Sequence, residues 1–406
     1  MRIASRRVVT LVATAAAVAL VGCGSSDEGS GGGGAEGDSG PIKIGQLEPL
    51  TGSAAIYGLA NEKAVEMAVT EINDAGGVDV GGTKRQVEVV PLDDECDPEK
   101  GVAAFQRLVN QEETKLIVGT TCSAVALAYQ PLLARTEALS IVTGASSPDI
   151  AKPPGMFQYR ATSKDYANAY LASMDRLAPK TVAILLDQTH PGWVATKPAV
   201  VEGLQEKGIE VVDEQEYKHN DTDFYTQLTA MKSKNPDLVM LMGGYANDDA
   251  KIWRQAKELK MDSQFITQLA GTSKDYLEQV KAPVVEGYYG VATPTMADFQ
   301  ADGYQPAIDF EKRFKQETGE DVGFTTLSTY SGFYALIRAI EKAGSDDPAE
   351  VAKALEEMKT ADLEEVIEPV IPGEADALFG DDGAVSFSVL LKEWQDGELV
   401  KVEEFK

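Results

Sequence analysis

Histidine and cysteine are scarce, with two and three respectively in 406 residues. His190 and His219 stand apart from each other and from Cys23, Cys96 and Cys122, so no clustered spacing exists for a structural zinc site. Positive charge is also short: 37 Lys and Arg face 65 Asp and Glu, for a formal net charge of −28. That imbalance argues against nucleic acid and anionic lipid as partners, since both repel an acidic surface. Its plain consequence is solubility. Beyond the first 22 residues no apolar run reaches the roughly 20 residues that span a bilayer. Missing too are a Gly-x-Ser-x-Gly elbow, a Walker loop, a His-Glu-x-x-His pair and a Gly-x-Gly-x-x-Gly turn after a strand. The chain therefore reads as a non-enzyme that needs no cofactor and no metal.

What is present begins with a leader. Arg2, Arg6 and Arg7 precede an apolar run from Val8 to Leu20 that is too short to span a membrane, and Leu20-Val21-Gly22-Cys23 follows. This is the layout of a secretory signal, residues 1–22. A cysteine at the cut resembles a bacterial lipobox, which implies that Cys23 is lipidated and begins the mature protein. Residues 24–40 are Gly, Ser, Asp and Glu with Ala35 alone apolar, so 23–40 is expected to be a flexible tether. Cleavage removes three arginines and no acid, taking the charge of −28 to −31. The expected location is the extracytoplasmic face of the cell membrane, through a lipid anchor. In an exported protein the isolated pair Cys96 and Cys122 reads as a disulfide.

After Gly40 about 366 residues remain, enough for two cores. Short apolar runs alternate with amphipathic stretches. Strands are expected at 42–47, 86–92, 116–118 and 140–142, and helices at 58–75, from Pro98, and at 123–136. The rhythm then repeats, with strands at 181–186, 209–214, 238–242 and 264–267 and helices at 198–207, 224–234 and 249–260. A further strand follows Val285, then helices at 304–317, 326–343 and 348–360, and a hairpin (385–394 and 399–405) turning at Asp396-Gly397. Near-continuous apolar strands alternating with helices mean parallel sheets covered on both faces. The fold class is α/β, as two Rossmann-like lobes with ligands at the carboxyl ends of the strands.

Several segments resemble one family, the leucine/isoleucine/valine-binding periplasmic proteins of ABC importers. They are Ile42-Lys43-Ile44-Gly45 through Leu50-Thr51-Gly52 to Tyr57-Gly58, Glu71-Ile72-Asn73-Asp74-Ala75-Gly76-Gly77, Asp93-Asp94-Glu95-Cys96-Asp97-Pro98, Val118-Gly119-Thr120-Thr121-Cys122-Ser123 and Gly243-Gly244-Tyr245. The resemblance runs from about residue 41 to the end. It implies a type I periplasmic binding protein, two lobes joined by three crossing strands that close on a ligand. Its crossings put lobe one at about 41–160 and 293–370 and lobe two at about 161–292 and 371–406. In that family the two cysteines are disulfide-bonded.

Ser123 opens a helix after a strand and turn, where its N–H, its hydroxyl and the helix dipole all favour a carboxylate; a plain cap is the alternative. The resemblance favours the ligand. It also implies that Ser146 or Ser147, in the loop after Val142, helps hold the carboxylate, with Ser146 preferred. Tyr57 and Tyr245 stand where family members place an aromatic residue and a tyrosine against the ligand. Pro191 occupies the family's closing-tyrosine position, so Trp193, read as an exposed-loop residue, is expected to supply the wall, and His190 to be a neutral hydrogen-bonding residue. Asp93, Asp94, Glu95 and Asp97 lack the spacing of a calcium loop and read as loop and cap residues.

The main departure is at Leu269, near which amino-acid-binding members present a glutamate for the ligand ammonium. A buried ammonium needs a carboxylate. Asp187 or Asp248 is expected to supply it, with Asp187 preferred; otherwise the ligand has no ammonium and is held by Tyr245, Gln268 and the aromatic wall. The expected function is that of a solute-binding lipoprotein, a monomer that binds an amino acid, branched-chain or otherwise aliphatic, and delivers it to ABC permease subunits. The alternatives are a binding protein for an amide, a urea-like solute or an aromatic carboxylate, and a ligand-sensing domain.

Overall fold

The computed structural model describes residues 40–52, 54–271, 273–364 and 367–405. The leader, Cys23 and the tract to Ser39 lie outside the described residues.

Two sheets organise the rest. The first is wholly parallel and runs in the order Val87–Asp93, Ile42–Glu48, Leu116–Gly119, Leu139–Val142, Met156–Gln158. The second runs Glu210–Tyr217, Thr181–Asp187, Leu238–Met242, Gln264–Gln268, Tyr289–Ala292, all parallel, and then adds Val389–Gln395 and Glu398–Phe405 antiparallel at its edge. Leu116–Gly119 and Leu238–Met242 are buried throughout, which is why they read as continuous apolar runs. The hairpin turns at Asp396 and Gly397, both at positive φ, as a tight two-residue connection requires.

In each lobe the parallel strands take the order 2-1-3-4-5, so the order reverses between the first and third strands. Ligands bind α/β sheets at the carboxyl ends of such a switch point. In the first lobe that point lies between Glu48 and the residues after Gly119; in the second it lies between Asp187 and the residues after Met242.

Local signals account for the helices around these points. Asp97 caps the helix Pro98–Asn110 through the N–H groups of Glu99 and Lys100. Helices Ser123–Thr136 and Thr326–Ala343 keep the expected bounds. Among the elements not anticipated are the strand Met156–Gln158 and the helix Ser163–Leu177, which a Thr162/Asp165 capping box begins. The start of one helix is corrected by a whole segment. The helix expected at 198–207 is Pro191–Glu206, with Pro198 inside it. Pro191 occupies the first turn, where a missing N–H costs nothing, and the His190 ring accepts the Trp193 N–H.

Candidate ligand site at the carboxyl ends of the two sheets

In the first lobe the strand Leu116–Gly119 delivers Thr120 to Cys122 to the start of the helix Ser123–Thr136. Cys122 is the cap residue and Ser123 the first helical one, so Ser123 is not a plain N-cap. Its Oγ accepts the Ser147 N–H at 3.2 Å, which joins the two expected serine loops. Ser147 is fully buried. Ser146 is half-buried, and its carbonyl accepts the N–H of Ser163 at 2.7 Å. Cys96 and Cys122 are disulfide-bonded with Cα atoms 5.5 Å apart, tying the loop before Pro98 to the loop that carries Ser123.

The second lobe supplies a polar and aromatic half. Asp187 ends its strand fully buried. Its Oδ1 accepts the N–H and hydroxyl of Thr189 and the N–H of His219, whereas Oδ2 is buried with no hydrogen-bond partner. Burial pushes this carboxyl above its ordinary value, and the Thr189 bonds offset that only in part. Tyr245 stacks on His219, with ring centres 3.8 Å apart, and meets His190 edge-on at 6.0 Å. Burial and the charge of Asp187 raise the Tyr245 hydroxyl, which therefore stays a donor at neutral pH. Burial lowers His190 to about 4, so it is neutral, as its place in the sequence suggested.

The halves adjoin. Ser163, at the start of the second lobe, links them: its N–H donates to the Ser146 carbonyl of the first lobe, and a Cβ added to Gly192 would meet the Ser163 Oγ at 2.1 Å and lie 3.2 Å from the His190 ring. Tyr57, in the first turn of the helix Ala55–Asp74, is raised by burial and by the charge of Asp275 in the second lobe, and it acts in turn on Tyr245. Tyr57, Ser123, Ser146, Asp187 and Tyr245 thus border one region.

Other expected residues fall elsewhere. Trp193 is not in an exposed loop: it is fully buried in the helix Pro191–Glu206, tilted against Tyr170, and its Nε1–H donates to Gln268 Oε1 at 2.9 Å. Burying so large a ring is favourable once its N–H finds an acceptor. Trp193 therefore positions Gln268, which packs under Gly244. Leu269 points into the second core, where it closes over Gly290, so it holds no open ligand position. Asp248 is committed: Oδ2 accepts from His219 Nδ1 at 2.8 Å and from the Asn220 N–H, and Oδ1 faces Lys251 at 3.3 Å. Burial would raise it, but these partners outweigh burial and leave it below the ordinary range. Of the two acids considered, Asp187 alone keeps an uncommitted oxygen.

Sequence reasoning passed over His219, Asp249 and Glu48. His219 follows the carboxyl end of Glu210–Tyr217 and was findable by the strand-end rule that selected Asp187. Asp249 is buried against Thr267 and Tyr276. A groove of about 740 Å³ lies away from this region, lined by Glu71, Arg313, Tyr330 and Tyr334. The Glu71 carboxylate there is already held by Arg313 and both tyrosine hydroxyls, and none of the described residues that line the groove belongs to a strand. The strand-end region is the better candidate on chemistry.

Two lobes with paired switch points, one of them beside the start of the helix Ser123–Thr136, define the architecture. The chain belongs to the periplasmic binding protein family, whose pattern it matches over residues 41–398. It is 30% identical over 318 residues to the leucine-, isoleucine-, valine-, threonine- and alanine-binding protein of Pseudomonas aeruginosa, covering 77% of this chain and 82% of that one. Its fold is similar to the leucine-binding protein of Thermotoga maritima (TM-score 0.77, 20% identity, 90% of this chain and 99% of that one). It is also similar to a solute-binding protein of an ABC transporter from Rhodopseudomonas palustris in complex with p-hydroxybenzoic acid (TM-score 0.76, 19% identity, 90% and 97% covered).

Proposed function

We propose that this chain is the extracytoplasmic solute-binding component of an ABC importer, held at the membrane by lipid on Cys23. Its two lobes close on an amino acid with an aliphatic side chain and present it to a permease. The ligand carboxylate lies at the start of the helix Ser123–Thr136, with Ser123 and Ser146. The ammonium lies at Asp187, and Tyr57 and Tyr245 flank the side chain. The observation that carries this reading is the buried, unpartnered Oδ2 of Asp187 at the second switch point. A carboxylate oxygen so placed is costly unless a cation meets it.

A second reading has its own support. The cluster of Tyr245, His190 and His219 offers aromatic surface, and the relative from R. palustris holds an aromatic carboxylate. A thermal-shift panel separates the two, because a ligand that binds only the folded state raises the melting temperature. Leucine, isoleucine, valine and alanine are run beside their 2-oxo acids and 4-hydroxybenzoate. Stabilisation by amino acids alone supports the first reading; stabilisation by 4-hydroxybenzoate or the oxo acids alone overturns it in favour of the second.

A further inference from the structure

We propose that Glu48 is a positioning residue for the carboxylate half of the site: it sits as a neutral carboxyl beneath the Thr120–Ser123 loop, and losing its proton weakens the binding of carboxylate ligands. The proposal rests on the reading of Ser123 as the carboxylate anchor.

Glu48 is fully buried at the end of the interior strand Ile42–Glu48, where Leu47 pairs with Gly119. The Thr121 hydroxyl donates to its Oε2 at 2.7 Å, and Asn61 Nδ2 donates to its Oε1 at 3.1 Å. Asn61 Nδ2 also reaches Thr121 Oγ1 at 3.2 Å, closing a triangle of three side chains under the loop. Asn61 Oδ1 in turn accepts the Thr325 hydroxyl at 3.0 Å, which fastens the triangle to the start of the helix Thr326–Ala343. Both serine loops rest on Thr121. It lies two residues before Ser123, and a Cβ on Gly144, two residues before Ser146, would meet the Thr121 Cα at 2.7 Å. A change at Glu48 therefore reaches both loops through one side chain.

The charge state follows from the surroundings. The titratable groups facing Glu48 are Asp94, at the end of the neighbouring strand, whose charge disfavours a second negative one, and Tyr129, on the helix Ser123–Thr136, whose hydroxyl burial keeps neutral. Burial, with the Asp94 charge added, pushes Glu48 up to about 8, and the bonds from Thr121 and Asn61 offset this only partly. A protonated Glu48 can also return a hydrogen bond to Thr121. An ionised Glu48 puts negative charge under a loop that has to accept a second carboxylate. By linkage, a carboxylate ligand raises the Glu48 pKa, and its affinity falls once pH passes the value for the free protein.

The test is calorimetry of leucine binding to the full-length protein from pH 6.5 to 9.0, with wild type, Glu48→Gln and Glu48→Ala. Wild-type Kd is expected to stay level to about pH 7.5 and to weaken by up to about tenfold at pH 9. Glu48→Gln keeps a donor and an acceptor for Thr121 and Asn61, so its Kd at pH 7 is expected within about threefold of wild type and level with pH. Titration of leucine's own ammonium is common to both proteins and cancels in the comparison. Glu48→Ala is expected to bind more weakly at every pH. A Glu48→Gln profile that follows the wild-type rise overturns the proposal. If leucine binds wild type at no pH, the functional reading fails and melting temperature decides Glu48 separately. The folded state keeps a proton that the unfolded chain releases near 4.5, so wild type should lose stability relative to Glu48→Gln between pH 5 and 8. A difference that does not change with pH overturns the proposal there as well.

Discussion

Replacing Asp187 with asparagine tests the ammonium site most directly. Oδ1 is held by Thr189 and by the His219 N–H, and an asparagine oxygen can take its place. The new amide then sits at Oδ2, the buried position with no partner, and turns a buried acceptor into a donor. A hydrogen bond to a charged group contributes about 1.5–3 kcal/mol, and a buried cation left without its partner costs about 3–5. A loss of about 3 kcal/mol is therefore expected, or roughly a 150-fold weaker Kd for leucine. The 2-oxo acid of leucine, which lacks the ammonium, should bind wild type poorly and gain or hold affinity in the variant. Calorimetry on both ligands with both proteins gives the four values needed. Burial raises Asp187 in the free protein, whereas an ammonium favours its charged form, so leucine affinity should increase with pH through the free-protein pKa and then level off. Without ligand the sign reverses: the raised carboxyl lowers stability as pH climbs from the ordinary aspartate range to its own value. A variant that binds leucine within a few-fold of wild type refutes the pairing.

Ser123→Ala removes the hydroxyl at the helix start and the acceptor of the Ser147 N–H, and should weaken leucine binding by about 1–2 kcal/mol in the same calorimeter. Unchanged binding would place the carboxylate elsewhere. Cys96→Ser opens a link across 26 positions and should lower stability by about 3 kcal/mol in urea titration; an unchanged midpoint would mean that the Ser123 loop holds without it.

The site divides by the kind of signal that marks each residue. That Ser123, Asp187 and Tyr245 fall at strand ends was legible, because each follows or closes a short apolar strand, and strand ends carry ligands in this architecture. The Cys96–Cys122 link was legible from export and resemblance. Trp193 was misplaced because Pro198 looked like a helix start. The true start at Pro191 is stabilised by burial of the indole against Tyr170 and by its bond to Gln268, 75 positions away. Leu269 was read as the departure from the family's glutamate, and the structure packs it in the core, where Gly290 on the next strand leaves room for its side chain.

Alternating apolar runs and amphipathic stretches were sufficient by themselves to determine the class of fold, because the period of burial is written locally. Helices Ser123–Thr136 and Thr326–Ala343 and the strand Leu238–Met242 carry that period within their own residues. The state of each acid was decided only in the tertiary structure. Asp187, Asp248 and Glu48 are alike as buried carboxyls, yet one keeps an oxygen without a partner, one is paired with His219 and Lys251, and one accepts the Thr121 hydroxyl and is pushed up by burial. Those partners lie from 3 to 73 positions away, and the field at a carboxyl depends on distance through space.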